Sequence, residues 1–390
     1  MSRFTIPRDI YFGSNAIGHL SCLKGYKRAF IVIGGNSVKK NGYLKRLYNI
    51  LDQLSIATHL FEGVENDPGI NTVLRGAEEM RQFEPDVILA MGGGSPMDAA
   101  KAMWIFYENP DLDFQDILTP FTLPKLRRKA VFVAIATTSG SASEVTAFSV
   151  ITGPGNDIKY PLADFEITPD IAVIDTKLPQ SMPRELCAHT GMDALTHAIE
   201  AYCATNHSDF TDPLALHAIQ MIWNDLPHSY QGNKKSREKM HIAQCLAGMA
   251  FSNALLGIVH ALAHKSAPIF NLSHGLCNAI LLPYVMQYNA DACADRYAAV
   301  AFRIGLRGGS DAQLTDALIK NIFSLNAKLN LPPSFQAAGI AEDVFQNHLH
   351  QICQDAYFDP CTGSNPRKTS PEDLASVLQN AYYGKKNNQD

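Results

Sequence analysis

Four short apolar runs punctuate the first half of the chain: RAFIVIGG at 28–35, PDVILAMGGGS at 85–95, KAVFVAIATTSGS at 129–141 and DIAVIDT at 170–176. They are rich in β-branched residues and mostly end in Gly, Ser or Thr. They are continuously apolar rather than alternating, which predicts strands buried on both faces. NGYLKRLYNILDQL at 41–54 and NTVLRGAEEMRQF at 71–83 carry apolar residues at helical spacing. Strands separated by helices predict a parallel sheet with helices on both sides. Beyond Pro183 the strand pattern stops, and residues 184–379 read as helices punctuated by NHSDFTDP, Gly308-Gly309-Ser310 and Leu331-Pro332-Pro333. The expectation is an α/β domain over 1–183 and an all-α domain over 184–390. There is no internal repeat, and the polar tail GKKNNQD is expected to fray.

At 390 residues the chain exceeds the size at which single cores stop growing, and 46% hydrophobic residues suffice for two. A net charge of -5 provides no basic footprint, so nucleic acid is not an expected partner. No cationic segment followed by an apolar run opens the chain, and no apolar stretch approaches the ~20 residues of a membrane span, so neither a leader nor a membrane is expected. The eight cysteines are scattered without a CxxC pair, against a zinc ribbon or disulfide scaffold and in favour of the reducing cytoplasm.

AMGGGSPMDAAKA couples a predicted strand to a predicted helix through Gly92, Gly93, Gly94 and Ser95, with Pro96 suited to the first turn. Backbone amides at such a helix start bind phosphate, although a three-glycine turn also serves tight βα geometry alone. It is not the GxGxxG fingerprint of an ordinary Rossmann dehydrogenase. IGGNSVKKNG follows the first run and TTSGSASEVT another, so three small-residue loops are expected at one carboxyl edge, where dinucleotides bind. Residues 34–40 contain no carboxylate to hold a ribose 2′-hydroxyl, and Lys39 and Lys40 read either as solvated lysines or as partners of a 2′-phosphate.

TGMDALTHAIEAY at 190–202 sets Asp193 and His197 four residues apart in a helical segment, so both face one way. GIVHALAHKSAPIFNLSHGL at 257–276 adds His260, His264 and His274. An oxygen with several imidazoles suits Zn(II) or Fe(II), and spacing makes His260 and His264 equal candidates. The histidines at 207, 217, 228, 241, 348 and 350 read as ordinary packed or surface groups.

Together, FTIPRDIYFGSNAIGHL, GGGSPMDAAKA, TTSGSASEVT, LADFEITPDIAVID, GMDALTHAIEAY and HALAH with LSHGLCNAILLPYVM resemble the iron-containing, or group III, alcohol dehydrogenase family across nearly the whole chain. The resemblance implies a dehydroquinate synthase-like architecture: a nucleotide-binding α/β domain, a helical domain and an active site in the cleft between them. It implies metal ligands at Asp193, His197, His260 and His274, with His264 outside the ligand set as a proton relay. It places Gly92, Gly93, Gly94 and Ser95 on the pyrophosphate, Asp98 alongside, Thr137, Thr138, Ser141 and Lys159 on the cofactor, and Phe251 in the substrate pocket. Gly35 stands where many NAD-preferring members carry Asp. With Ser37, Lys39 and Lys40 it resembles the NADPH-dependent butanol dehydrogenase and aldehyde reductase branch, so NADP(H) is expected over NAD(H).

The implied activity is reversible oxidation of a small, uncharged primary alcohol to its aldehyde by hydride transfer with NAD(P)(H), the metal, Fe(II) or Zn(II), acting as Lewis acid. The rival enzyme is a metal- and NAD-dependent lyase or cyclase of the dehydroquinate synthase type. Its phosphorylated substrate would call for several cations near the metal, where the segments 188–202 and 257–284 supply only Lys265. A metal-binding protein without catalysis would leave the three loops unexplained. Residues 4–12 resemble a family strand that pairs across a dimer, so a homodimer or larger homo-oligomer is expected.

Overall fold

The computed structural model describes residues 3–154 and 159–384. The tail beyond Gly384, where fraying is expected, lies outside the described residues. Two compact units form, Met1–Met182 and Pro183–Asp390.

The first unit is built on six parallel strands: β1 (Asp9–Gly13), β2 (Arg28–Ile33), β3 (Ala57–Phe61), β4 (Val87–Gly92), β5 (Val131–Ala136) and, after a separate antiparallel hairpin of β6 (Phe148–Thr152) and β7 (Lys159–Ala163), β8 (Ile171–Asp175). The sheet order is β1-β8-β5-β4-β2-β3. Helices α1 (Ser37–Lys40), α2 (Tyr43–Gln53), α3 (Ile70–Phe83) and α4 (Gly94–Glu108) connect the first strands. Alternate strand residues serve opposite cores. Phe30, Val32, Ile88, Ala90, Phe132 and Ala134 pack on the side of α3 and α4, while Ile31, Ile33, Leu89, Met91, Val133 and Ile135 pack on the side of α2. Both faces being covered explains why the runs carry no polar alternation.

Four strands, β1, β3, β6 and β7, are not among the apolar runs. β3 is an edge strand whose Ala57 and Thr58 are exposed, so it needs no continuous apolar sequence. The β6–β7 hairpin stands off the main sheet; β6 alternates between half-buried and buried residues, and in β7 only Lys159 and Leu162 are buried.

Registers pair Ile33 with Met91, Gly92 with Ala136 and Ile135 with Val173, so β2, β4, β5 and β8 end along one edge. The chain passes from β2 to β3 on one side, whereas β4 lies on the other side of β2. That reversal is the switch point at which open α/β sheets bind ligands.

In the second unit every regular element among the described residues is helical: α5 (Arg184–Cys203), α6 (Asp212–Tyr230), α7 (Lys234–Ala254), α8 (Ile258–Phe270), α9 (His274–Asn289), α10 (Ala294–Arg303), α11 (Asp311–Lys328), α12 (Glu342–Tyr357) and α13 (Pro371–Tyr383), with short 3₁₀ turns. α5 is buried almost all round from Gly191 to Cys203, as a central helix must be. The α7–α8 connection bends by 106°, and no single described helix is long and apolar enough to cross a membrane. All eight cysteines are free thiols.

Candidate metal centre and cofactor loops

Three helices of the second unit bring the centre together. α5 carries Asp193 and His197 one turn apart, α8 carries His260 and His264, and His274 is the first residue of α9. Gly275 makes the approach of α9 to α5 possible, since a Cβ there would lie 2.4 Å from the His189 carbonyl oxygen and 3.4 Å from Asp193 Cβ.

Ligand atoms of Asp193, His260 and His274 lie within 4.8 Å of one another. Asp193 Oδ1 is 3.8 Å from His260 Nε2 and 3.7 Å from His274 Nε2. The Asn278 amide nitrogen donates to Asp193 Oδ1 at 2.7 Å and lies 3.1 Å from each Nε2, so three acceptors converge on one positively polarised atom. A carboxylate and two imidazoles focused on one point are the donor set a divalent ion such as Fe(II) or Zn(II) takes. His197 is not in the group of three. Its buried ring is stacked between Phe251, 4.3 Å away between centroids, and His260, 4.4 Å away.

His264 departs from His260 despite the shared helix. Its Nδ1 lies 3.1 Å from Asp359 Oδ2, and its ring stacks on His274 at 5.3 Å. Lys265 Nζ reaches the same Asp359 oxygen.

The electrostatics follow from this packing. Burial opposes charge on Asp193, but the imidazoles of His197, His274 and His260 outweigh it and hold its carboxyl well below the usual range. Burial likewise disfavours the His260 imidazolium, yet Glu200 and Asp193 push its pKa up to about 9. In the first unit, burial raises Asp98 and lowers Lys101 to about 8.

At the sheet edge, Gly93 and Gly94 lead from β4 into α4. A Cβ on Gly93 would sit 3.2 Å from Thr138 Oγ1, and one on Gly94 3.1 Å from Ser141 Oγ, so the TTSGSASEVT loop lies directly against the glycine turn. Such a glycine-lined helix start flanked by hydroxyls suits a pyrophosphate. Thr137, Thr138, Ser141 and Ser95 are all half-buried along this edge. Asp98 turns inward: its carboxylate accepts from Ser143 Oγ at 2.6 Å and Val150 N at 3.1 Å. Lys101, fully buried, donates to the carbonyls of Thr146 and Phe148, both at 2.8 Å. Together they tie the loop and the hairpin to α4. Lys159 pairs with Asp67 at 2.7 Å. Gly35, Ser37, Lys39 and Lys40 are exposed after β2, and Lys39 is ion-paired with Glu62 at the end of β3.

Family models for iron-containing alcohol dehydrogenases match residues 7–176, and for the C-terminal part of the Fe-containing alcohol dehydrogenase family residues 187–382. The chain belongs to the iron-containing alcohol dehydrogenase family. It is 55% identical over 384 residues to an NADPH-dependent butanol dehydrogenase of Clostridium saccharobutylicum, covering 98% of this chain and 99% of the relative. Among solved structures, the iron-containing alcohol dehydrogenase of Thermococcus thioreducens superposes with a TM-score of 0.91 at 34% identity, covering 98% of this chain and all of the other. A 1,3-propanediol oxidoreductase does so at 0.92 and 32% identity, with 98% and 100% covered. The fold is thus the dehydroquinate synthase-like architecture of iron-containing alcohol dehydrogenases, and the reaction class is alcohol–aldehyde interconversion rather than the rival lyase chemistry.

Three contributors escaped the sequence reading. Glu200 lies on the Asp193–His197 face of α5 at the i+7 position, a signal that was present and unused. Asn278 follows His274 by four residues. Asp359 stands 95 residues from His264, with nothing local to mark it.

Proposed function

We propose that this member of the family is an NADP(H)-preferring alcohol dehydrogenase and aldehyde reductase for small, uncharged substrates, with residues 1–183 as the dinucleotide-binding domain and 184–390 as the metal and substrate domain. The observation carrying the metal centre is the convergence of Asp193 Oδ1, His260 Nε2 and His274 Nε2 on one point reached by the Asn278 amide. Asp193, His197, His260 and His274 are its assigned ligands, His197 held at the edge of the set by its stacking on Phe251 and His260.

Asp193, His197, His260 and His274 would hold a divalent ion, which would supply Lewis acidity toward the substrate oxygen, and a nicotinamide bound at the sheet-edge loops would supply the hydride chemistry. The chain's residues do the rest. Asp193 carries the negative charge of the ligand set. His264, oriented through Nδ1 by Asp359, passes the alcohol proton outward from Nε2. Phe251 forms an apolar wall beside His197. Lys265 is already engaged by Asp359, leaving it ill suited to grip a phosphorylated substrate. The loop at Gly92, Gly93, Gly94 and Ser95 takes the pyrophosphate, with Asp98 as its internal brace and Thr137, Thr138, Ser141 and Lys159 beside the cofactor. Gly35, Ser37, Lys39 and Lys40 receive the 2′-phosphate, in keeping with the NADPH named for the butanol dehydrogenase relative.

Eight free thiols fit the cytoplasm. β1 is an edge strand with Phe12 70% exposed, which fits a homodimer or larger homo-oligomer. The decisive experiment is an aldehyde screen with NADPH and NADH on protein reconstituted separately with Fe(II) and Zn(II). Inactivity of every metal form with every aldehyde would refute the reading.

A further inference from the structure

Glu200 links two helices through one carboxylate. It is 7% exposed on α5; Oε1 accepts from Val259 N at 2.8 Å, and Oε2 lies 2.5 Å from His260 Nδ1. Val259 and His260 stand in the first turn of α8, whose leading amides lack intrahelical partners. Glu200 therefore caps α8 from outside and holds its second and third residues at once. Gly257, just before α8, is in extended backbone at φ -140, so any residue could adopt that conformation. What requires glycine is proximity: a Cβ would sit 2.7 Å from Glu200 Oε1 and 3.1 Å from Asn365 Oδ1.

We propose that Glu200 is a positioning residue for the metal centre: it holds the proton of His260 on Nδ1, so that the Nε2 lone pair faces Asp193 and His274. This rests on the metal-centre reading above. A carboxylate oxygen only accepts, so the group facing Oε2 must be an N–H. The other side of the ring agrees independently. Asn278 is oriented by donating to Asp193 Oδ1, and the second hydrogen of the same amide lies between the Nε2 atoms of His260 and His274, each 3.1 Å away, a donor that suits a neutral His260 with its lone pair on Nε2. Imidazoles that bind metals are commonly held this way by a carboxylate on the far nitrogen, and losing it typically costs 10–100-fold in metal affinity.

Glu200→Gln is the informative change because it keeps size and removes one acceptor. If the amide oxygen stays on Val259 N, the NH₂ group faces Nδ1 and drives the ring proton to Nε2, where it blocks a metal. If the amide turns over, an NH₂ group opposes Val259 N–H. Either way one contact fails.

The test is Zn(II) affinity of the full-length protein, measured by competition with a chromophoric chelator, alongside the melting temperature of the metal-free form. Glu200→Gln is expected to raise the Zn(II) Kd by about 10- to 100-fold, and Co(II) bound in its place should show an altered d–d spectrum. Gly257→Ala, which displaces the same carboxylate by crowding, should weaken Zn(II) binding in the wild-type background and add little in Glu200→Gln. It also carries the test should Glu200→Gln not fold. In the metal-free wild type, at a pH high enough for the ring to be neutral, ¹⁵N NMR should find the one remaining His260 proton on Nδ1. Unchanged Zn(II) affinity in folded Glu200→Gln or Gly257→Ala, or a His260 bearing hydrogen on Nε2 alone, overturns this inference while leaving the metal centre standing. A wild type that binds neither Zn(II) nor Fe(II) overturns both.

Discussion

Asp359 and His264 are 95 residues apart in sequence and 3.1 Å apart in space, Oδ2 to Nδ1, while His260, one turn away on the same helix, faces Glu200 instead. Burial opposes charge on Asp359, yet His264 and Lys265 hold its carboxyl well below the usual range. Two histidines of one short motif thus have different carboxylate partners, which is the physical basis for giving them different tasks.

His264→Ala should keep the metal near its wild-type stoichiometry and slow kcat by roughly 10²-fold or more, the usual scale for a lost proton-transfer group. Asp359→Asn should slow turnover less, because the imidazole stays while its orienting carboxylate is lost. Metal analysis beside steady-state kinetics tests both, and loss of metal from His264→Ala would make it a ligand.

Exhaustive chelation should abolish activity, and Fe(II) should restore it. His274→Ala and Asp193→Ala should each fail to recover, with metal content falling well below one per chain, since each removes one of three converging donors. Full activity in metal-free protein would remove the centre from the mechanism.

The pH dependence follows from His260. Its folded pKa of about 9 lies above the ordinary 6.5, so in the metal-free protein it contributes stability that is complete below pH 6.5 and lost as pH rises through 9. A metal must displace the same proton, so Zn(II) affinity should rise over that window as the metal-free melting temperature falls. Asp193 works the other way: its depressed pKa contributes stability present above 3.8 and lost as pH falls below it. Chelator competition and thermal melts between pH 6 and 9.5 check the first two slopes, and zinc affinity independent of pH would contradict the assignment of His260.

NADP(H) should be preferred over NAD(H) by roughly tenfold to a hundredfold in kcat/KM, the scale of one or two charge-assisted contacts to a phosphate. Gly35→Asp should reverse the preference by repelling the 2′-phosphate and accepting from a free 2′-hydroxyl. The ion pair of Lys39 with Glu62 adds a term that residues 34–40 alone do not contain. Glu62→Gln should release Lys39 and raise the NADP(H) preference further, and an unchanged ratio in both variants would show that this loop does not set the choice.

Lys101→Met should lower the melting temperature and raise the KM for the cofactor. The buried ammonium braces the carbonyls of Thr146 and Phe148 and neighbours Asp98, and breaking a buried charge pair costs on the order of 3–5 kcal/mol. A variant that melts as wild type would show that the loop holds itself.

Much of this protein is legible along the chain because its signals are local. A strand covered on both faces must be apolar at every position, so β2, β4, β5 and β8 announce themselves, and the glycine turn after β4 is written in consecutive residues. β3 does not, because an edge strand is free to be polar. Asp193 and His197 were readable because one helical turn links them, and Glu200 lay within the same reach. What only the tertiary structure decides is which far-separated groups share a hydrogen bond. Periodicity makes His260 and His264 equivalent. Glu200 behind one and Asp359 behind the other separate them, and Asn278 marks the point on which the donors converge. Likewise Glu62 reaches Lys39 only because β3 pairs beside β2. Sequence spacing encodes which side chains share one helix face, whereas the partner of a buried imidazole is chosen by packing between elements, which spacing does not contain.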